Sequence, residues 1–86
     1  MRADKDKVER LLKTARGQID GLLKMVEEDR YCIDIANQLL ATQAILKTAN
    51  RLVLRGHIEG CISEALNNGT ANEKLDELMK VIDRLA

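Results

Sequence analysis

Apolar residues Val8, Leu11, Leu12, Ala15, Ile19, Leu22, Leu23 and Val26 recur along the chain at steps of three, one and four. That spacing lines one face of a helix and predicts a first helix from about Asp4 to Glu28. The stretch EEDRY then gathers charge without apolar periodicity and reads as a turn. A second periodic set, Ile33, Ala36, Leu39, Leu40, Ala44, Leu46, Ile58 and Ile62, follows with no proline to break it. It predicts one long helix from Tyr31 to about Leu66. NNGT supplies a stop and then a start: Asn and Gly end a helix, and Thr70 can cap the next, with Glu73 three residues on. The last helix carries Leu75, Leu78, Met79, Ile82 and Leu85.

The fold class that follows is all-α, with three helices and a long middle one. At 1.5 Å per residue the middle helix is roughly 50 Å long, too long for its two neighbours to cover. Its remaining surface has to be buried against another chain, and the expected assembly is a dimer built as an antiparallel four-helix bundle. The 86 residues suffice for a single domain, 1–86, with a limited core of its own. Apolar content is 45%, almost all aliphatic, with Tyr31 the sole aromatic residue and no Pro, Trp or Phe. A β-sandwich or barrel would want aromatic and β-branched runs with frequent turns. RGQIDGL at Arg16 and RGHIEGC at Arg55 echo each other, but the apolar pattern around them does not align, so they are no repeat. Each pair of helix-interior glycines, four residues apart, calls for a packing or ligand reason, since each costs about 0.5–1 kcal/mol relative to Ala.

Charge alters this picture only in its distribution. Net charge is zero, yet residues 1–56 hold eleven Lys/Arg against eight Asp/Glu, and residues 57–86 hold three against six. Between Ile35 and Gly56 the charges are Lys47, Arg51 and Arg55, all positive. From charge alone a solvated basic face is a better explanation than a nucleic-acid surface, so charge permits DNA binding without establishing it. The N-terminal MRADKDKVER is charged and precedes no apolar run long enough for a signal peptide or membrane span. The expectation is a cytoplasmic protein with no membrane partner, whose two cysteines are thiols and not a structural disulfide.

The candidate chemistry lies in Cys32, His57 and Cys61. His57 and Cys61 stand at i and i+4 on one helix face, a common way to present two metal ligands. Two ligands alone make a weak site, and by itself the pair reads more readily as a surface histidine near a buried cysteine. At about 100° per residue, Cys32 falls roughly 20° from each of them in helical phase, on opposite sides. Yet Cys32 is roughly 37 Å from His57 along a straight helix, so the three cannot meet within one chain. An antiparallel partner, related by a two-fold axis near Ala44 and Ile45, brings Cys32 of one chain level with His57 and Cys61 of the other. The same axis generates a second, identical site. Two thiolates and an imidazole form a soft donor set: Cu(I) accepts three such ligands, whereas Zn(II), a conceivable surrogate, wants a fourth from water or a carboxylate.

The segment GQIDGLLKMVEEDRYCIDIANQLLATQAIL resembles the motif that marks the copper-sensitive operon repressor family, which also contains nickel/cobalt, formaldehyde and persulfide sensors. The resemblance covers most of the chain and is strongest from Gly17 to Ile45. The order Cys32, His57, Cys61 matches the copper branch. The nickel/cobalt sensors have a further N-terminal histidine, which MRADK lacks; the formaldehyde sensors have a proline after the initiator Met, where this chain has Arg2; the persulfide sensors lack the histidine.

The resemblance implies an all-α homotetramer, a dimer of dimers, that binds operator DNA without a helix-turn-helix. It implies that Cu(I), one per protomer and held between protomers, lowers DNA affinity and releases copper-homeostasis genes. It also implies that Tyr31 and Glu77 support the ligand histidine, whose far ring nitrogen a phenol or carboxylate can fix. The family usually has an Arg where this chain has Thr14 and often a basic residue where it has Asp20. Lys13 and Arg16 can substitute on that face, and Lys47, Arg51 and Arg55 are the stronger candidates for phosphate contacts. Two other functions fit the same residues: a persulfide or thiol-redox-sensing repressor using Cys32 and Cys61, and a copper-storing helical protein without a DNA role. No acid–base pair with an evident pocket suggests an enzyme.

Overall fold

In a computed structural model, the chain is a thin helical slab whose principal extents are 56 × 26 × 13 Å. The structure describes residues 1–69 and 71–85, without the side chains of Cys61, Ile62, Ala71 and Leu85. The elements are α1 (Lys5–Glu27), α2 (Cys32–His57), a π-helical turn (Ile58–Ile62), α3 (Ser63–Asn68) and α4 (Ala71–Leu85). Helix α1 starts at Asp4, whose carboxylate accepts from the backbone N–H of Lys7 at 3.2 Å. This is an N-cap bond that satisfies one of the orphan donors of the first turn.

The charged turn predicted after α1 closes as a Schellman motif. Arg30 N–H donates to Met25 C=O at 3.0 Å and Asp29 N–H to Val26 C=O at 3.1 Å. Asp29 takes the left-handed conformation, φ 51°, that glycine more often supplies at this position. The next stop, at NNG, uses Gly69 at φ 75°. The predicted Thr70 cap lies outside the described residues.

The predicted middle helix needs one correction. Backbone angles at His57, Ile58 and Ser63 all remain right-handed helical, so the path from Cys32 to Asn68 is unbroken. It is not uniformly α, however. Between Ile58 and Ile62 the hydrogen bonding shifts to the wider π register, which holds more residues per turn. The advance of about 100° per residue used above therefore does not carry through to Cys61. The phase relation of Cys32 to His57, which lies wholly within α2, is unaffected.

Helices α1 and α2 pair along a seam of small and medium side chains. Val8, Ala15 and Leu22 are buried at seven-residue spacing on α1, and Thr42 and Ala49 at the same spacing on α2. Such spacing makes a narrow, coiled-coil-like contact. One polar bond sits inside it: the Thr42 hydroxyl lies 2.7 Å from Gln18 Oε1 and 3.2 Å from the Gln38 carbonyl of its own helix. A Thr42→Val substitution is expected to leave Gln18 unsatisfied and lower unfolding free energy by about 1–3 kcal/mol, measurable by urea denaturation. Helix α4 folds back and buries Leu78 against the end of α2.

This core is small for the chain. The Cα radius of gyration is 17.2 Å, whereas a compact chain of this length would have about 12 Å. Leu12, Ile19, Leu23 and Val26 on α1, and Ile33, Leu39, Leu40 and Leu46 on α2, are all exposed. Ile19, Leu22, Leu23, Val26, Ile35 and Leu39 line one open cleft of about 270 Å³. Apolar surface this extensive marks an interaction site. Among the described residues, no helix is long and apolar enough to cross a membrane.

Candidate metal centre

Cys32 is the first residue of α2 and its thiol is exposed. Tyr31 precedes it as the N-cap, makes no side-chain capping bond, and is 66% exposed. His57 is the last residue of α2 and is also exposed. The two predicted ligands thus occupy opposite ends of one helix, and one chain does not bring them together. Cys61 lies within the π-turn, with its side chain outside the described residues. Among the described residues, no three His, Cys, Asp or Glu side chains converge into a group able to hold a metal ion.

The structure does bring His57 and Glu77 to one place. Both line a cleft of about 240 Å³ between α2 and α4, with Val53, Leu54, Leu78 and Val81 as its apolar walls. Glu77 also lies 3.8 Å from Lys74 on its own helix, a long and exposed pairing. Tyr31, the other predicted supporting residue, sits at the far end of α2. A two-fold partner would therefore have to supply Tyr31 and Cys32 together to the end that carries His57 and Glu77.

Sequence reasoning missed what surrounds the π-turn. The segment before α1 crosses the end of α2 and the π-turn over Gly56 and Gly60. A Cβ on Gly56 would fall 2.6 Å from Ala3 Cα and 2.7 Å from Ala3 N. A Cβ on Gly60 would collide with the Arg2 side chain. Arg2 Nη2 donates to Glu64 Oε1 at 2.5 Å, an ion pair spanning 62 positions of sequence. The bond from Arg2, and then its charge, hold the Glu64 carboxyl below its ordinary value, with a lesser contribution from Lys74 on α4. By contrast, nothing lies within 4 Å of a Cβ built on Gly17 or Gly21. The only signal in the sequence was the glycine pair itself, which called for a close contact without naming the neighbour.

The predicted DNA-contacting residues are all exposed. Lys13 and Arg16 line a cleft of about 550 Å³ along α1 with Met1, Lys5, Val8, Glu9 and Leu12. Lys13 is also paired to Glu9 at 3.2 Å. Lys47 lines a separate cleft on α2 with Gln43, Leu46 and Asn50. Lys47, Arg51 and Arg55 stand four residues apart and form one stripe along α2. Arg55 donates to Glu59 at 3.3 Å, so its charge is partly answered within the helix. Thr14, at the position where the resembled family usually has Arg, donates its hydroxyl to the Arg10 carbonyl at 3.0 Å.

A family model described as metal-sensitive transcriptional repressor matches residues 4–84. The copper-sensing transcriptional repressor CsoR of Mycobacterium ulcerans is 45% identical over 71 residues, which cover 83% of this chain and 61% of that protein. The chain therefore matches less than two thirds of that relative's length. Among solved structures, the Cu(I)-bound copper-sensing repressor CsoR of Geobacillus thermodenitrificans superposes with a TM-score of 0.82 at 38% identity, covering 98% of this chain and 91% of that one. The nickel-responsive transcriptional regulator InrS superposes with a TM-score of 0.80 at 30% identity, covering 100% and 97%. A copper sensor and a nickel sensor fit this backbone about equally well, so the backbone does not choose the metal.

Proposed function

The chain belongs to the family of metal-sensitive transcriptional repressors, and within it we propose that this protein is a Cu(I)-responsive repressor that holds operator DNA when metal-free and leaves it on binding Cu(I). The observation that carries this reading is the placement of its donors. Cys32 and His57 are exposed at opposite ends of one helix, with Cys61 four residues beyond. Only a second copy, antiparallel to the first, can bring Cys32 to His57 and Cys61. The exposed apolar surfaces of α1 and α2 give such a copy something to bind.

Each dimer would then contain two S₂N sites, one Cu(I) per protomer. Two thiolates and one imidazole suit Cu(I), and Zn(II) would serve as a surrogate only with a fourth ligand. With His57 as the sole histidine of these 86 residues, a nickel site built on several imidazoles lacks the further imidazoles here. Glu77 shares a cleft with His57 and is suited to accept from its far ring nitrogen, fixing the tautomer and tying the ligand to α4. Lys47, Arg51 and Arg55, helped by Lys13 and Arg16, would contact DNA phosphates. Residues 1–86 act as one metal-sensing, DNA-binding domain in the cytoplasm, and two dimers associate as a tetramer.

The test is a fluorescence-anisotropy titration of duplex selected from a random library by the metal-free protein, repeated anaerobically with Cu(I). Affinity should fall on adding Cu(I), and by linkage the duplex should weaken Cu(I) binding by the same factor. Unchanged affinity in the presence of bound copper would rule out the regulatory role. The exposed Cys32 thiol keeps a second reading in play, a persulfide-responsive repressor joining Cys32 to Cys61 of the partner. His57→Ala separates the two: a thiol switch keeps its response to persulfide, and a copper switch loses its response to Cu(I).

A further inference from the structure

We propose that the Gln18–Thr42 hydrogen bond in the α1–α2 seam sets the register of the two helices, and through it the alignment of Lys13 and Arg16 with Lys47, Arg51 and Arg55 on DNA. Gln18 and Thr42 are then positioning residues: neither touches DNA, and both act through the basic side chains beyond them. The inference rests on the DNA-binding reading above for its ligand, but the register itself can be tested without DNA or metal.

Three observations converge on this pair. The first is burial: among the described residues Thr42 is the one buried polar side chain, 5% exposed. The shorter of its two contacts, at 2.7 Å, crosses to Gln18 on the other helix, and the longer, at 3.2 Å, stays on its own. The second is what surrounds it. Val8, Ala15 and Leu22 on α1 and Ala49 on α2 are apolar and of small or medium size. Apolar burial is non-directional and tolerates sliding or rotation, whereas a hydrogen bond weakens steeply off its line. The third is position. The hydrogen-bonded turn between α1 and α2 restrains one end of the pair. Gln18 and Thr42 lie about ten residues from that turn on either side, roughly 15 Å along the rod, and the basic residues lie beyond them.

The same register aligns charge. Antiparallel pairing that sets Gln18 level with Thr42 also sets Lys13, five residues before, level with Lys47, five residues after. Both lysines are exposed there. A slip of one helical turn would carry Lys13 about 5.4 Å past Lys47, further than the spacing of about 3.4 Å per phosphate along one DNA strand. The duplex fixes its phosphates in space, so even a partial slip changes which of them each helix can reach. A directional bond between the turn and the basic residues opposes such a slip.

Three variants separate register from stability. Thr42→Val removes the bond, Thr42→Ser keeps it, and Thr42→Val with Gln18→Met replaces both polar partners by apolar ones. Removing both partners of a buried hydrogen bond is nearly neutral for stability, whereas removing one leaves the other unsatisfied. The double variant should therefore unfold in urea close to the native protein, unlike Thr42→Val alone, while lacking the bond that fixes register. In metal-free protein, methyl NOEs between α1 and α2 should keep their native partners in Thr42→Ser and change partners in both variants without the hydroxyl. In DNA titrations the slope of log affinity against log salt should be native in Thr42→Ser. In the other two it should be shallower by up to about 1.8 units per protomer on the duplex, as the two α1 contacts drop out. Native DNA binding in the double variant would overturn the proposal and leave the pair a purely structural contact. So would weaker binding that sedimentation traces to a changed oligomer. Failure of the native chain to bind DNA would overturn the DNA reading and leave the NOEs to decide the register. Changed partners in the double variant would then uphold it, and unchanged partners would overturn it.

Discussion

A Cys32→Ser chain is expected to bind DNA as the native protein does and to stay bound when Cu(I) is added. Cys32 is exposed on the first turn of α2 and contributes nothing to the core, so the substitution leaves stability and DNA contacts in place. It replaces a soft thiolate with a hydroxyl that is a poor ligand for Cu(I). The remaining His57 and Cys61 form a two-donor fragment on one chain. Regulatory coupling in such switches is typically about 1–3 kcal/mol, or roughly 5–150-fold in affinity, and all of it should vanish. The same variant tests whether the site is shared between chains. Co-refolded with Cys61→Ser, it forms mixed dimers in which one end has lost both thiols. The other end combines Cys32 of one chain with His57 and Cys61 of its partner, all intact. Mixed dimers should therefore bind one Cu(I), whereas neither variant alone retains a complete site. Absence of binding in the mixture would mean that the three donors are not assembled across an antiparallel pair.

The parts of this arrangement that were legible in the sequence are those governed by local periodicity. The apolar spacing of Val8 to Val26 placed α1 within one residue of its observed ends at Lys5 and Glu27, because capping by Asp4 and a charged turn bound it on either side. The continuity of the second helix followed from the lack of any breaker between Ile33 and Ile62. The π-turn did not, because spacing rules assume a constant 3.6 residues per turn, and only hydrogen bonding distinguishes the two registers. The α1–α2 seam was legible only in part. Thr42 lies inside it, and a polar residue satisfied by Gln18 from the other helix breaks an apolar pattern without breaking the packing. The course of the segment before α1 was illegible for a different reason. Its contacts join Arg2 to Glu64 and Ala3 to Gly56 over more than fifty positions, and only the three-dimensional path of α1 along α2 brings them together. The sequence raised the question of Gly56 and Gly60 as a cost without a reason; the nearness of Ala3 and Arg2 supplies the reason.

Replacing Arg51 and Arg55 together with alanine is expected to weaken DNA binding strongly and make it less sensitive to salt. Each phosphate contact that releases a counterion contributes about 0.9 to the slope of log affinity against log salt. For each dimer of the tetramer that engages DNA, loss of both contacts by both protomers should therefore make the slope shallower by about 3.6 units. The two residues should not contribute equally. Arg55 is already paired with Glu59 at 3.3 Å, and a phosphate has to compete with that carboxylate before the arginine is gained. Arg51→Ala alone should accordingly be the more damaging single change, and Glu59→Gln should tighten DNA binding by releasing Arg55. Cu(I) stoichiometry should be native in all of these variants, since none alters a proposed ligand or its support at Glu77. An unchanged salt slope in the double variant would move the DNA surface to Lys13 and Arg16 on α1. No measurable DNA binding by the native chain, with copper still bound by two sulfurs and one nitrogen, would instead favour a storage protein on this fold.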